Sequence, residues 1–362
     1  MNIIAIRKAL MIAGILLVSV ISFIFIVFLI SSPGRVPGFN KENSISERVF
    51  TEINGSNQGM IIKGEDKSNP VILFLHGGPG MPEFFLADEY FSELYKHFTI
   101  CFWEQRGAGI SYIDSVSMES ITASKLVEDS ISVTHYLQKR FNRDKIILLG
   151  HSWGTYIGIK AIEKSPDLYS SYLSVAQIVN SRLSEQMAYD YIEKRLEDDE
   201  RIGDLDKLRA FIDGETGALD VEKFKKSSFR DYIMHNLSIG TMKDMNSVVS
   251  GIFFAYLKCR AYTVKEKVNV WIAKSKLISQ SSLRDEMLST DFSKEIKALE
   301  VPVYFFCGSS DYTVNHKLSK EYFDLLEAPL KKFYLFDDSA HSPLFEEKEK
   351  FLNILLNEIQ HY

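Results

Sequence analysis

The chain has 362 residues, with 42 Lys and Arg against 48 Asp and Glu, and a net charge of −6. That acidic balance, with no basic cluster and no RNA-type aromatic motif, argues against nucleic acid as a partner. Cys101, Cys259 and Cys307 show no metal-ligand spacing, and three cysteines make no tidy disulfide framework.

Ala9 to Ile30 is a run of 22 residues without a charge, preceded by Arg7 and Lys8. At about 1.5 Å per residue it would cross a hydrocarbon core of roughly 30 Å. It is longer than the apolar stretch of a cleavable signal and ends in Phe28-Leu29-Ile30-Ser31-Ser32-Pro33, so an uncleaved anchor is expected. The small excess of positive charge before it predicts the N-terminus inside and the remainder of the chain outside the cytoplasm. Pro33, Gly34, Pro37 and Gly38 then mark a short linker.

Strand-like segments at Ser46–Ile53 and Gly59–Gly64 predict an antiparallel hairpin. Beyond it, apolar runs alternate with helical patterns, which predicts a mostly parallel sheet covered on both faces. Val71-Ile72-Leu73-Phe74-Leu75 is such a doubly buried strand and ends in His76-Gly77-Gly78-Pro79-Gly80, a turn able to present backbone N–H groups. Lys145-Ile146-Ile147-Leu148-Leu149 leads directly into Gly150-His151-Ser152-Trp153-Gly154. A Gly-x-Ser-x-Gly between strand and helix holds a serine on a sharp, strained turn, where neighbours two residues away must lack bulk. Ser152 is therefore the candidate nucleophile, with the main-chain N–H of Trp153 and one from the His76–Gly80 turn as its oxyanion hole.

A serine needs a base, and the base needs a carboxylate to orient it; in this architecture they follow in the order acid, then histidine. Val301 to Cys307 reads as a strand whose closing turn, Gly308-Ser309-Ser310-Asp311, offers Asp311. Lys332 to Phe336 is the next strand, followed by a loop containing His341. Asp337 and Asp338 compete as the acid but lie too near His341 in sequence without a tight turn, so strand-end placement favours Asp311. His97, His135, His235, His316 and His361 read as surface residues, and His76 and His151 as shapers of their motifs.

Three motifs together, His76 to Gly80, Trp103-Glu104-Gln105-Arg106-Gly107-Ala108-Gly109-Ile110-Ser111, and Gly150 to Gly154, resemble the α/β-hydrolase family that contains the proline iminopeptidases. The likeness covers about residues 45–180 and 300–345. It implies the α/β-hydrolase fold, Ser152, Asp311 and His341 as a triad, the main chain of Gly78 and Trp153 as the oxyanion hole, and Gln105-Arg106-Gly107 as pocket floor. The family usually has Asp at position 104 and Gly at position 151, where this chain has Glu104 and His151.

From Asn180 to about Lys297 the alternation gives way to charged, helical patterning, expected as a cap over the site. Residues 1–30 would form the anchor, 31–44 the linker, 45–179 and 298–362 the core, and 180–297 the cap. Glu197-Asp198-Asp199-Glu200 reads as a solvated helix face, and Phe253, Phe254, Tyr256 and Trp271 as cap packing. An aminopeptidase needs cap carboxylates that hold a free amine, for which Glu185 and Asp190 are the candidates. The expected activity is a membrane-anchored serine aminopeptidase on short peptides, needing neither cofactor nor metal. The alternatives are a carboxylesterase on small or lipid-like esters and a catalytically silent, membrane-tethered binding module.

Overall fold

The computed structural model describes residues 3–30, 32–247 and 249–359; His361 lies outside them. Eight strands form one sheet in the order β1-β2-β4-β3-β5-β6-β7-β8. β1 (Ile45–Ile53) and β2 (Ser56–Gly64) make the expected hairpin, with β2 starting three residues earlier than its sequence pattern suggested. Asn54 and Gly55 close it with φ of 46° and 72°, the paired left-handed residues that suit the twist of two-residue hairpins. β2 pairs antiparallel with β4 (Thr99–Trp103). From there β3 (Val71–Leu75), β5 (Ile146–His151), β6 (Tyr169–Val175), β7 (Val303–Gly308) and β8 (Lys331–Phe336) are all parallel.

The uninterrupted apolar runs follow from this layering. Along β3, Val71, Leu73 and Leu75 pack into one core while Ile72 and Phe74 pack into the other, and β5 divides Ile146 and Leu148 from Ile147 and Leu149 in the same way. Alternate side chains enter opposite faces, and both faces are covered. Helix α1 (Ile3–Ile30) precedes the sheet; α2 (Phe84–Tyr90), α3 (Ala123–Phe141) and α4 (Trp153–Lys164) follow its first strands. Cys101 and Cys307 lie buried in β4 and β7 and Cys259 is buried among the cap residues; all three thiols are free.

Between β6 and β7 the chain adds no strand to the sheet. It forms α5 (Ser181–Asp198), α6 (Ile202–Arg209), α7 (Val221–Lys226), α8 (Ser228–Asn236), α9 (Phe254–Lys258), α10 (Val264–Gln280), α11 (Leu283–Ser289) and α12 (Phe292–Glu295). This region has a core of its own around Ile192, Leu196, Phe224 and Ile233. Glu197 to Glu200 are exposed, and Tyr256 is buried against Phe85 and Tyr262. Glu104 joins the two regions. Its carboxylate accepts from the Tyr262 hydroxyl and, at 2.6 Å, from the Ile110 N–H, while burial pushes it up to about 7. After the cap come α13 (His316–Leu325), α14 (Pro343–Glu346) and α15 (Lys348–Glu358); the last buries Phe351 and Leu355.

Among the described residues one helix, Ile6–Ile26, is long and apolar enough to cross a membrane, with a mean hydropathy of 2.9. The stretch expected as a linker is packed against its neighbours. Pro33 bridges Thr263, the Arg35 N–H donates to the Arg260 carbonyl at 3.0 Å, and Arg48 donates to the Gly34 carbonyl at 3.0 Å. The chain is thus tied to the cap within a few residues of the end of α1.

The tightest packing lies where α4 begins. A Cβ on Gly154 would sit 1.9 Å from the Leu75 carbonyl oxygen, a backbone atom held in the middle of the sheet. Gly154→Ala should lower stability by more than about 3 kcal/mol, at the severe end of overpacking, because neither partner can yield. Urea unfolding of the variant against the parent checks this.

Candidate active site

Ser152 sits between β5 and α4 with φ 54° and ψ −119°, a conformation that costs a non-glycine residue about 1–3 kcal/mol. The surroundings enforce it. The Ser152 N–H donates to the Val175 carbonyl at 2.9 Å, and its own carbonyl accepts from the Thr155 N–H at 2.8 Å and the Thr155 hydroxyl at 2.6 Å. Gly150 and Gly154 are needed because a Cβ on Gly150 would meet the Gly154 carbonyl oxygen at 2.6 Å. Gly158 lets α4 lie against Tyr172, which a Cβ would meet at 2.9 Å.

The turn after β7 places Asp311, fully buried, beside the loop after β8. One Asp311 oxygen accepts from the Val314 N–H at 2.9 Å and fixes the turn; the other accepts from His341 Nδ1 at 2.9 Å. A neutral ring that donates from Nδ1 keeps Nε2 as an acceptor, the tautomer a base requires. Gly308 permits the approach, since a Cβ there would fall 1.9 Å from the Ala340 carbonyl oxygen. Asp337 and Asp338 do not take this place: both are exposed, and Asp338 is 3.4 Å from Lys243.

The Glu346 carboxylate clasps the histidine loop on both sides, accepting from the Ala340 N–H at 3.1 Å and the Ser342 N–H at 3.0 Å. It also accepts from the Lys243 N–H in the cap at 2.6 Å, and burial raises its pKa. Nothing local in the sequence marks this role; it depends on the fold bringing α14 under the loop.

Gly78, at φ 128°, lines the same cavity as Ser152 and His341, and a Cβ on it would meet the Gly80 nitrogen at 2.4 Å. Trp153 opens α4, where the helix offers its N–H no acceptor. Its indole is buried, stacked on Tyr156 at 4.9 Å, and donates to Gln105 Oε1 at 3.0 Å. Gln105 Nε2 donates to the His76 carbonyl at 3.0 Å, which ties the turn after β3 to the start of α4 from behind. His76 Nε2 accepts from the Gln105 N–H at 3.1 Å, so Nδ1 donates to the Gly77 carbonyl at 2.8 Å; burial lowers its pKa, in keeping with a neutral ring. Gln105 and Arg106 are therefore not pocket floor. Arg106 is turned into a buried ion pair with Asp129 at 2.7 Å, behind the sheet edge.

His151 does more than shape its motif. Its Nδ1 contacts Glu83 at 2.9 Å and its Nε2 contacts the His341 carbonyl at 3.0 Å, so both nitrogens face acceptors and the ring is held as an imidazolium. Burial opposes the charge, but the Glu83 carboxylate outweighs it and the pKa is raised. The pair links the start of α2 to the main chain of His341, with the two histidine rings 5.2 Å apart. Of the histidines expected at the surface, His235 is buried, with Nδ1 2.7 Å from the Asp231 carbonyl, and His316 is half-buried beside Asp311.

The cavity has a volume of about 340 Å³ and lies between these segments and the cap, within the range typical of small-molecule sites. Glu185 lines it; Asp190 does not. Five residues along a helix turn the side chain by about 140°, and Asp190 is exposed with Gln186 donating to it at 2.8 Å. Asp231, on α8, lines the cavity instead, and among the described residues it has no ion pair within 4 Å. Among the described residues no group of three or more His, Cys, Asp or Glu side chains is arranged to hold a metal ion.

Residues 70–348 match the family model of the alpha/beta hydrolase fold. The chain belongs to the α/β-hydrolase family. Its relatives place it in the proline iminopeptidase-like part of that family, and it is a serine hydrolase. It is 30% identical over 322 residues to a probable aminopeptidase, YbaC, of Bacillus subtilis, covering 89% of this chain and 99% of that one. A proline iminopeptidase of Heyndrickxia coagulans is 22% identical over 306 residues, 84% of this chain and 96% of that protein. Among solved structures, a proline iminopeptidase-related protein of Thermus thermophilus superposes with a TM-score of 0.58 at 15% identity, over 86% of this chain and 96% of that one, a likeness of fold.

The Glu83–His151 pair yields a signed pH effect. A raised histidine pKa means that its stabilisation is complete below the ordinary value near 6.5 and is lost as pH rises through the higher folded value. Glu83→Gln should cost about 3–5 kcal/mol near pH 6, as for other broken buried pairs. The gap from the parent should narrow steadily towards about pH 9, as read from thermal unfolding of both proteins across that range.

Proposed function

We propose that this protein is a membrane-anchored serine aminopeptidase of the proline iminopeptidase type that releases N-terminal residues from short peptides through an acyl-enzyme. The observation that carries the reading is His341, held by Asp311 at 2.9 Å, lining one cavity with a serine on a strained elbow. The aminopeptidase and proline iminopeptidase names of its relatives support the peptide substrate.

In this mechanism Ser152 attacks the carbonyl carbon while His341 Nε2 takes its proton, and Asp311 steadies the imidazolium that forms. The N–H groups of Gly78 and Trp153 hold the negative oxygen of the tetrahedral intermediate. His341 then gives its proton to the leaving amine, and water resolves the acyl-enzyme by the same route. Asp231 is the cavity carboxylate suited to the substrate's free amine, since Glu83 and Glu185 are already paired with cations.

An ester substrate is the second reading, favoured by those two neutralised carboxylates. The helix Ile6–Ile26 supports the anchor. Arg7 and Lys8 before it support an orientation with the hydrolase outside the cytoplasm.

Aminoacyl-arylamides should be cleaved and their N-acetylated forms spared. Asp231→Asn should raise KM for the free-amine substrates about tenfold, the low end for a charge-assisted hydrogen bond at a partly exposed site. Ser152→Ala should lose at least about a thousandfold in kcat. Turnover of aryl esters with none of arylamides would replace the aminopeptidase with the esterase. Protease added to intact cells should digest the hydrolase region while the anchor fragment stays in the membrane; protection of the whole chain would reverse the orientation.

A further inference from the structure

Glu185 is nine-tenths buried and more, and both its oxygens are filled. Lys225 Nζ donates to it at 2.9 Å, and Arg230 donates through Nε at 2.6 Å and Nη2 at 2.9 Å. One carboxylate therefore already answers two cations. A third, Arg284 on α11, lines the same cavity close enough for its charge to act on both Lys225 and Glu185. Among the described residues Arg284 has no carboxylate within 4 Å; Asp285 and Glu222 affect it only at longer range. Asp231 and Lys274 also line the cavity, and Asp231 acts on Lys274 only at longer range. Lys225, Arg230 and Arg284 thus have one carboxylate at their centre, Glu185, and its contacts are spent on the first two.

A second observation points the same way. Asn315 lines the cavity, is fully buried, and its side-chain nitrogen has no acceptor. Its oxygen is fixed by the Lys317 N–H at 3.0 Å and the Leu318 N–H at 3.4 Å, so the amide cannot turn round to hide the donor. Its main-chain N–H donates to Ser184 at 2.9 Å, next to Glu185 in the chain. An unanswered guanidinium and an unanswered amide donor lie beside one buried, already saturated carboxylate. The missing partner is an acceptor with negative charge.

We propose that the cap side of this cavity binds a carboxylate of the substrate, held by Arg284 and the Asn315 amide beside the Glu185 cluster. The inference deepens the serine-hydrolase reading by naming what the substrate must bring besides its scissile bond. The carboxylate can be the side chain of an acidic N-terminal residue or the C-terminus of a short peptide. Either would satisfy donors that a neutral substrate leaves unpaired, a discrimination of about 10- to 100-fold.

The first arm of the test is binding. With the full chain in detergent at fixed ionic strength, glutarate should raise the melting temperature by about 2 °C or more over equimolar glutaramide. That difference should vanish in Arg284→Gln and return in part in Arg284→Lys. Equal shifts from the diacid and the diamide, or a difference that survives Arg284→Gln, overturn the proposal; the parent comparison needs no variant to fold. The second arm is kinetic. kcat/KM should favour Glu-arylamide over Gln-arylamide, or Ala-Ala over its C-terminal amide, by at least about tenfold, and the favoured pair identifies which carboxylate is read. If glutarate binds as described and no amide or ester is turned over, the anion site stands and the hydrolase reading falls. If substrates are turned over and both pairs stay within about twofold, the anion site is not used and the proposal fails.

Discussion

The close passage of the Leu75 carbonyl past Gly154 is the constraint on which the rest depends. It lets α4 start flush against the ends of β3 and β5, and so forces the chain at Ser152 into its left-handed turn. The strain of one serine backbone is small against a sheet whose central strands are buried on both faces. The same contact brings the Gly-rich turn after β3 beside Ser152 after β5, because those strands are neighbours although they are not consecutive. Ligand sites at the carboxyl ends of such strands follow from that change in strand order.

Around this elbow the chain uses hydrogen-bonded carboxylates as struts. Glu83 and His151 link the start of α2 to the main chain of His341, Glu346 grips the loop on either side of that histidine, and Glu104 reaches the cap through Tyr262. Each carboxylate meets its donors in a largely buried setting, which is the condition under which a polar network stiffens a site instead of weakening it. Glu104 and His151 are also the two positions at which the sequence departs from the family pattern. His151 is answered by Glu83 at the rear of the cavity, whereas at its front the cap sets Arg284 beside a carboxylate already filled by Lys225 and Arg230.

Where pattern is local, the residues alone sufficed. The chain order of nucleophile, acid and histidine pointed to Asp311 over Asp337 and Asp338, and in the fold it is Asp311 that accepts from His341 Nδ1 at 2.9 Å. The apolar runs announced their strands because burial on both faces leaves no polar positions to interrupt them. The cap defeated the same logic. Its side chains face inward or outward according to helix packing that has no sequence signature, which is why Asp190 was expected in the cavity and Asp231, Arg284 and Asn315 were not. Gln105 and Arg106 were misplaced for a related reason: their partners, Trp153, His76 and Asp129, are distant in sequence, and only the folded sheet turns them away from the cavity. The stretch after α1 read as a linker because its prolines and glycines signal turns, and turn residues do not reveal whether the turn is docked.

The central claim is that the elbow, the Asp311–His341 pair and the two N–H groups work on one serine. Its most direct measurement is the reaction of the full chain with a fluorophosphonate, followed by mass spectrometry of the peptides. The account predicts one adduct per chain, on Ser152, formed at a rate that falls by at least about a hundredfold in His341→Ala. Folded protein that stays unmodified, or an adduct on another residue, would contradict it.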